Sequence, residues 1–503
     1  MITTPGKGLF RQILLLSLAL ALAACQAQAA AMPPVDVTQS AEAAGVQVID
    51  SSGALPVAAP TSERPAYAPG ELVDYTAQTG DTLPALAVRF NTTIAEIRQA
   101  NPGIPDTATT MPPGMPMKIP IYYTPFWGSS YLILPDSLFV NGPAQVGFNI
   151  QDFLAGQPGW LKNHVEFASG ANRSAAEIID LIALRYSVSP QLLLALLEYQ
   201  SGAVSNPAPS EQEFAYPMGN RSPQYKGLYL QVSWVANLLN NGYYAYRASD
   251  LTSLERDDGR LMRFDPWLNA TTASLQNFFN ILLPDARFDQ AISPQGFAGT
   301  YQQLFGDPWS QDAPHIPGSL EQPPLSLPFE PGSSWAFTGG PHNPWGSGEP
   351  FAAIDFAPPL TGSGCLPSSE WATAVADGVV VRTGVGEVVL DLDGDGDERT
   401  GWDIYYLHLA TEGRAQVGNV LKTGDPVGYP SCEGGSSTGT HVHIARKYNG
   451  EWIPAEGMLA FNLEGWIAHN GKQAYEGTLT RNSQVVTACT CSNQASFIKS
   501  DRR

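Results

Sequence analysis

Basic residues are scarce in this chain of 503 residues: 27 Lys and Arg stand against 47 Asp and Glu, a formal charge of −20. That balance excludes nucleic acid as the main partner, because phosphate recognition needs clustered Lys and Arg. Charge of either sign is sparse, at 15% of residues, while hydrophobic content is an ordinary 43%. Cysteine is nearly missing, with five in all, so the position of each one carries information. The apolar run from Ile13 to Ala24 is too short to span a membrane. Proline and glycine are plentiful, at 42 and 48, and point to loops, linkers and β-turns. At this length two to four domains are expected.

Lys7 and Arg11 precede the run from Ile13, which has the length of a signal-peptide core. It ends in Leu22-Ala23-Ala24-Cys25 and so resembles the lipobox of bacterial lipoproteins. The resemblance implies that Cys25 is acylated and becomes the first mature residue, with the protein exported and anchored to the envelope by lipid. The alternative is ordinary cleavage near Ala-Gln-Ala-Ala, which discards Cys25. Residues 26–70, rich in Ala, Pro, Val, Ser and Thr, read as a disordered tether.

Residues 71–122 read as strand, helix, helix, strand. Asp81 or Thr82 caps a helix carrying Leu83, Leu86, Ala87 and Phe90, and Thr93 opens a second with Ile94 and Ile97. The stretches "YTAQTGDTL", "RFNTTIAEIRQANP" and "PPGMPMKIP" resemble a LysM module. The resemblance implies binding of the N-acetylglucosamine-containing glycan of peptidoglycan or chitin.

Residues 125–312 read as mainly helical. Ser174 and Glu177 form a capping box, and the helix after Ser189-Pro190 is apolar nearly all round, so it is central. "SVSPQLLLALLEYQSG" and "GLYLQVSW" resemble goose-type lysozymes and lytic transglycosylases. Where that family carries its acid, this chain has Gln200, and an amide cannot act as a general acid; Glu198 is two residues off. An inactive glycan groove or a spacer is expected. Residues 313–332 read as a Pro-rich linker, 333–470 as an antiparallel β domain, and 471–503 as a tail.

Four of the seven histidines, His342, His408, His441 and His443, fall at telling positions in that β domain. His441 and His443 are two apart in "GTHVHIA", so on a strand they share one face while Val442 and Ile444 take the other. Asp355 in "AIDFA" adds an oxygen ligand, and His342 lies in a Gly-rich loop able to bring its ring to the same place. Hydrolytic zinc needs three such ligands and one open position.

These motifs, with "TGGPHNPW" and "YYLHLA", resemble the peptidoglycan-cleaving zinc endopeptidases of the lysostaphin and β-lytic type. The usual first histidine of the family, four residues before the aspartate, is here Phe351, and the "GGPH" loop matches the β-lytic branch instead. The resemblance implies that His342, Asp355 and His443 hold zinc. His441 and His408 then serve as base and oxyanion donor, His441 being the choice for base, and Tyr406 lines the pocket from the side of its strand that His408 occupies.

Two further features stand in this domain. Asp391, Asp393, Asp395 and Asp397 alternate as in a calcium loop, although the twelfth position, Glu in an EF-hand, is Trp402. The alternative is an acidic hairpin tip in water. Cys365 and Cys432 are the favoured disulfide, leaving Cys489 with Cys491, though four cysteines allow three connectivities.

The expectation is therefore a multidomain chain: a small βααβ LysM module, a mainly α middle domain and an antiparallel all-β peptidase domain. Its expected activity is zinc-dependent cleavage of peptidoglycan peptides, by a monomer. A wall-binding scaffold that activates other hydrolases is the alternative.

Overall fold

The computed structural model describes residues 64–122, 127–359, 364–366, 368–491 and 493–501. The segment read as a signal peptide, Cys25 and most of the segment read as a tether lie outside the described residues.

Strand β1 (Glu71–Thr76) pairs antiparallel with β2 (Pro116–Ile121), and helices α1 (Leu83–Arg89) and α2 (Ile94–Ala100) lie between them in sequence. Of the two capping candidates, Thr82 is the N-cap: its hydroxyl accepts from the Ala85 N–H. Asp81 is buried instead, where it accepts from the Tyr75 hydroxyl (2.6 Å) and pairs with Arg89 (2.9 Å). Thr93 and Glu96 complete a capping box on α2. The unit is not loose: the Trp267 indole of the helical region donates to Asp74 O, and Arg247 donates to Thr79 O.

The helical region centres on α3 (Ala175–Tyr186), α4 (Pro190–Ser201), α5 (Leu228–Ala248) and α6 (Ala270–Leu282). The Ser174–Glu177 capping box and the Ser189 cap form as their residues require. Leu192 to Leu197 are all fully buried, which accounts for the apolar circumference of α4. Helix α5 runs on through Asn240, Asn241 and Gly242 to Ala248, because Tyr243, Tyr244 and Tyr246 are buried beyond them.

The C-terminal region is built on a nine-stranded antiparallel sheet. Its strands are β3 (Ser334–His342), β4 (Ala353–Ala357), β5 (Gly378–Thr383), β6 (Val388–Asp391), β7 (Trp402–Leu407), β8 (Val420–Leu421), β9 (Val442–Tyr448), β10 (Glu451–Trp452) and, near the C-terminus, β15 (Phe497–Lys499). The order is β8-β5-β6-β7-β9-β4-β3-β15, with β10 paired to β9. A separate four-stranded sheet joins β11 (Asn462–Leu463), β12 (Trp466–Asn470), β13 (Gly477–Arg481) and β14 (Gln484–Thr487).

Both faces of the large sheet are covered. Val389, Tyr405, Leu407, Ala445 and Trp452 join one apolar cluster with the helices. Phe337, Ile354, Phe356, Tyr406, Val442 and Ile444 form a second cluster on the other face, with Leu325, Leu327 and Phe329. Those last three lie in the segment read as a linker, and they are buried, so 313–332 is a packed strap. The segment read as a tail likewise supplies β13, β14 and the edge strand β15 against β3. Local composition reports neither fact, since burial here comes from partners distant in sequence.

Candidate metal centre

Strand register assembles the site. Asp355 on β4 stands directly opposite His443 on β9, and cross-strand partners present their side chains on one face. His342 ends β3, paired with Ala353 of β4, so it belongs to a strand and not to a loop as expected. The β3–β4 register shifts twice before His342, and such bulges re-aim a side chain. The glycines before it are sterically required. A Cβ at Gly339 would lie 2.3 Å from Asp355 Oδ2, and one at Gly340 would lie 2.3 Å from Glu476 O.

His342 Nε2 and His443 Nδ1 are 3.0 Å apart, and Asp355 Oδ1 is 3.3 Å and 3.2 Å from them. All three residues are buried. Asp355 Oδ1 has no hydrogen-bond partner although it is buried. His342 Nδ1 donates to Gly340 O (2.8 Å), since a carbonyl only accepts, and this leaves Nε2 with its lone pair toward the triangle. Ligand atoms of a tetrahedral zinc at roughly 2.0–2.1 Å lie about 3.3 Å from one another. Two imidazole nitrogens and a carboxylate oxygen with these separations fit that ion.

The protonation states also suit metal binding. Burial opposes ionisation of Asp355, yet the neighbouring His342, His441 and His443 rings hold its pKa well below the ordinary range. Burial, with His342 and His441, lowers His443 to about 4, so it is neutral near pH 7.

His441 and His408 stand beside the triangle. His441 Nδ1 donates to Gly439 O (2.8 Å), and its Nε2 is 3.8 Å from Asp355 Oδ1. His408 Nδ1 donates to Glu433 O (3.1 Å), and the two rings are 4.5 Å apart. Burial, with His441 and His443, lowers His408 to about 3.

Tyr406 does not line this cleft, contrary to the expectation from strand parity. It is fully buried on the opposite face, where its hydroxyl accepts from the Val375 N–H (2.9 Å). The reason is local: β7 ends at Leu407, and His408 has a left-handed φ of 64°, which breaks the alternation. The aromatic residue that does meet the triangle is Tyr475, stacked on His342 at 4.0 Å. It comes from the turn between β12 and β13, and no motif in the sequence marks it.

The cleft over the triangle has a volume of about 790 Å³. Its lining includes His342, Asp355, His443, His408, His441 and Tyr475, and from the helical region Tyr186 and Tyr229. Cys365 is bonded to Cys432, and Cys489 to Cys491. Of the four aspartates read as a calcium loop, Asp391, Asp393 and Asp395 come together. Asp397 does not join them, because Arg399 holds its carboxylate (2.6 Å). In the helical region Glu198 accepts from the N–H groups of Val204 (2.9 Å) and Ser205 (3.0 Å) and from the Ser205 hydroxyl, so it ties down the loop after α4.

Comparison with known proteins places relatives along the chain. Residues 75–120 match the LysM domain, and residues 132–317 match the family described as the N-terminal domain of LasA. The second segment is the one likened above to lysozymes. Protease LasA of Pseudomonas aeruginosa is 28% identical over 346 residues, covering 65% of this chain and 76% of that protein. The beta-lytic metalloendopeptidase of Lysobacter enzymogenes is 29% identical over 175 residues, covering 32% of this chain and 90% of that protein. Among solved structures, the M23 metalloprotease pseudoalterin is 23% identical with a TM-score of 0.29, covering 33% of this chain and 96% of that one. The catalytic domain of lysostaphin from Staphylococcus simulans is 21% identical with a TM-score of 0.18, covering 24% and 89%.

Proposed function

We propose that this chain is a zinc metalloendopeptidase that hydrolyses the peptide part of peptidoglycan, brought to the wall by its LysM module. The observation that carries the reading is the buried triangle of His342 Nε2, Asp355 Oδ1 and His443 Nδ1 on the floor of an open cleft. Zinc held there supplies Lewis-acid polarisation of a carbonyl and acidifies water.

The chain's own residues handle the proton. His441, with Nδ1–H committed to Gly439, offers Nε2 as acceptor; it takes the proton of the attacking water and returns it to the leaving amine. Asp355, 3.8 Å away, stabilises the imidazolium formed on the way. His408 is committed to Glu433 in the same manner and is barely basic, so its Nε2 also accepts. It therefore orients the water, and does not donate to the oxyanion as the family resemblance implies. Glycan cleavage by the helical region forms no part of the reading, because Glu198 is spent on its own loop. Lipid anchoring through Cys25 belongs to it on the strength of the Leu22–Cys25 motif.

The test is incubation of the purified chain with peptidoglycan, before and after chelation, with mass analysis of released ends. New peptide ends that vanish on chelation and return with zinc are expected. Wall binding without new ends would favour the scaffold alternative.

A further inference from the structure

The hairpin joining β6 to β7 carries a charge conflict that lies outside the peptidase reading. Asp391 and Asp403 pair directly across the two strands, and both are fully buried. Partners in such a pair stand on one face with Cβ atoms about 5 Å apart, where like charges repel. Asp391 is compensated by three backbone donors, the N–H groups of Asp393 (3.0 Å), Gly394 (3.2 Å) and Gly396 (2.9 Å). Asp403 has none: neither of its carboxylate oxygens has a hydrogen-bond partner. Lys447, its neighbour on the other side, is committed to Glu398 at 2.7 Å. A buried carboxylate without donors is among the costliest groups a fold can carry.

In front of this pair the turn gathers more carboxylate. Asp391, Asp393 and Asp395 each offer an oxygen within 4.8 Å of the other two. Oxygens sharing one hard cation at about 2.4 Å are separated by up to that distance. Asp393 is folded back over the hairpin mouth, where a Cβ at Gly401 would lie 2.1 Å from its Oδ2. Asp393 and Asp395 are exposed, so the group is open to solvent, while its buried member Asp391 is the cross-strand partner of Asp403.

We propose that this turn is a second metal site for a hard divalent cation of the calcium type, with Asp391, Asp393 and Asp395 as ligands and Asp403 as the buried charge behind them. The donor set is all oxygen, without thiol or imidazole, which selects calcium over zinc. The cation relieves the Asp391–Asp403 repulsion and pins the hairpin where Arg399 reaches Gln145 O (2.9 Å) of the helical region. Its effect falls on stability, since His408 lies at the other end of β7. This site does not depend on the peptidase reading.

The experiment is calcium titration of the full zinc-loaded chain, stripped of calcium, followed by thermal unfolding. Terbium emission sensitised by Trp402, next to Asp403, gives a direct binding signal. At calcium a hundredfold above its Kd, the unfolding midpoint should rise by roughly 3 °C. A D393N/D395N double variant should lose both signals. D403N should weaken calcium about tenfold and also raise the midpoint of the calcium-free chain, because a buried repulsion is gone. A wild-type midpoint indifferent to millimolar calcium would overturn the site. So would a response surviving in the double variant, or a D403N chain that is less stable without calcium and binds it unchanged.

Discussion

Asp355 and His443 face each other across β4 and β9 with Oδ1 and Nδ1 3.2 Å apart, a contact created by register alone. H443A and D355A should each reduce bound zinc to background and abolish release of peptide ends. Metal analysis of the purified variants checks this, and a variant that kept zinc would refute the ligand set.

Gly339 packs directly against a residue of the triangle. Alanine there places a methyl group 2.3 Å from Asp355 Oδ2, well inside contact distance. G339A should lose zinc and activity while its far-ultraviolet circular dichroism stays close to that of the parent chain.

His441 and His408 should separate from the ligands in their effects. H441A is expected to retain zinc and to lower kcat by about 10²–10⁴-fold, the range for a proton-transfer group. H408A should also retain zinc. Steady-state rates alongside metal content decide, and zinc loss in H441A would move that residue into the ligand set.

Acid stability should depend on Glu398. Burial opposes its ionisation, but Arg382 (through Nε) and Lys447 (2.7 Å) hold its pKa at about 2, below the ordinary 4.5. A carboxylate with a depressed folded pKa stabilises fully above about 4.5, and the contribution is lost as pH falls toward about 2. E398Q should cost on the order of 3 kcal/mol at pH 7, leaving buried cations uncompensated. Its urea midpoint should fall less between pH 5 and pH 3 than the parent's, and equal slopes would exclude the assignment.

The LysM unit should resist excision. Thr110 Oγ1 donates to Pro317 O (2.7 Å), Thr109 Oγ1 to Leu320 O (2.7 Å), and Ile316 and Leu320 are buried. Limited proteolysis should therefore spare the strap at 313–332, although its composition resembles a linker. Early cleavage there would show that these contacts are weak.

Much was legible in the sequence wherever the signal is local. Ser174 with Glu177, Ser189 and Thr93 cap the helices they precede, because a cap needs only residues three apart. Alternation assigned Val442 and Ile444 to one face and His443 to the other, because a strand repeats every two residues. The same rule misplaced Tyr406, since one left-handed residue, His408, ends the alternation it relies on.

By itself, then, the sequence determined the order of the three regions, the caps of their helices and the residue types of the His–Asp–His triangle, all of them set by backbone periodicity and ligand chemistry. Only the tertiary structure decided what depends on partners far along the chain. It set Asp355 against His443, bulged β3 to turn His342 inward, stacked Tyr475 on that ring and buried the Pro-rich strap. It also placed Asp403 behind Asp391. Strand register and packing between distant segments are long-range properties, and no window of neighbouring residues contains them.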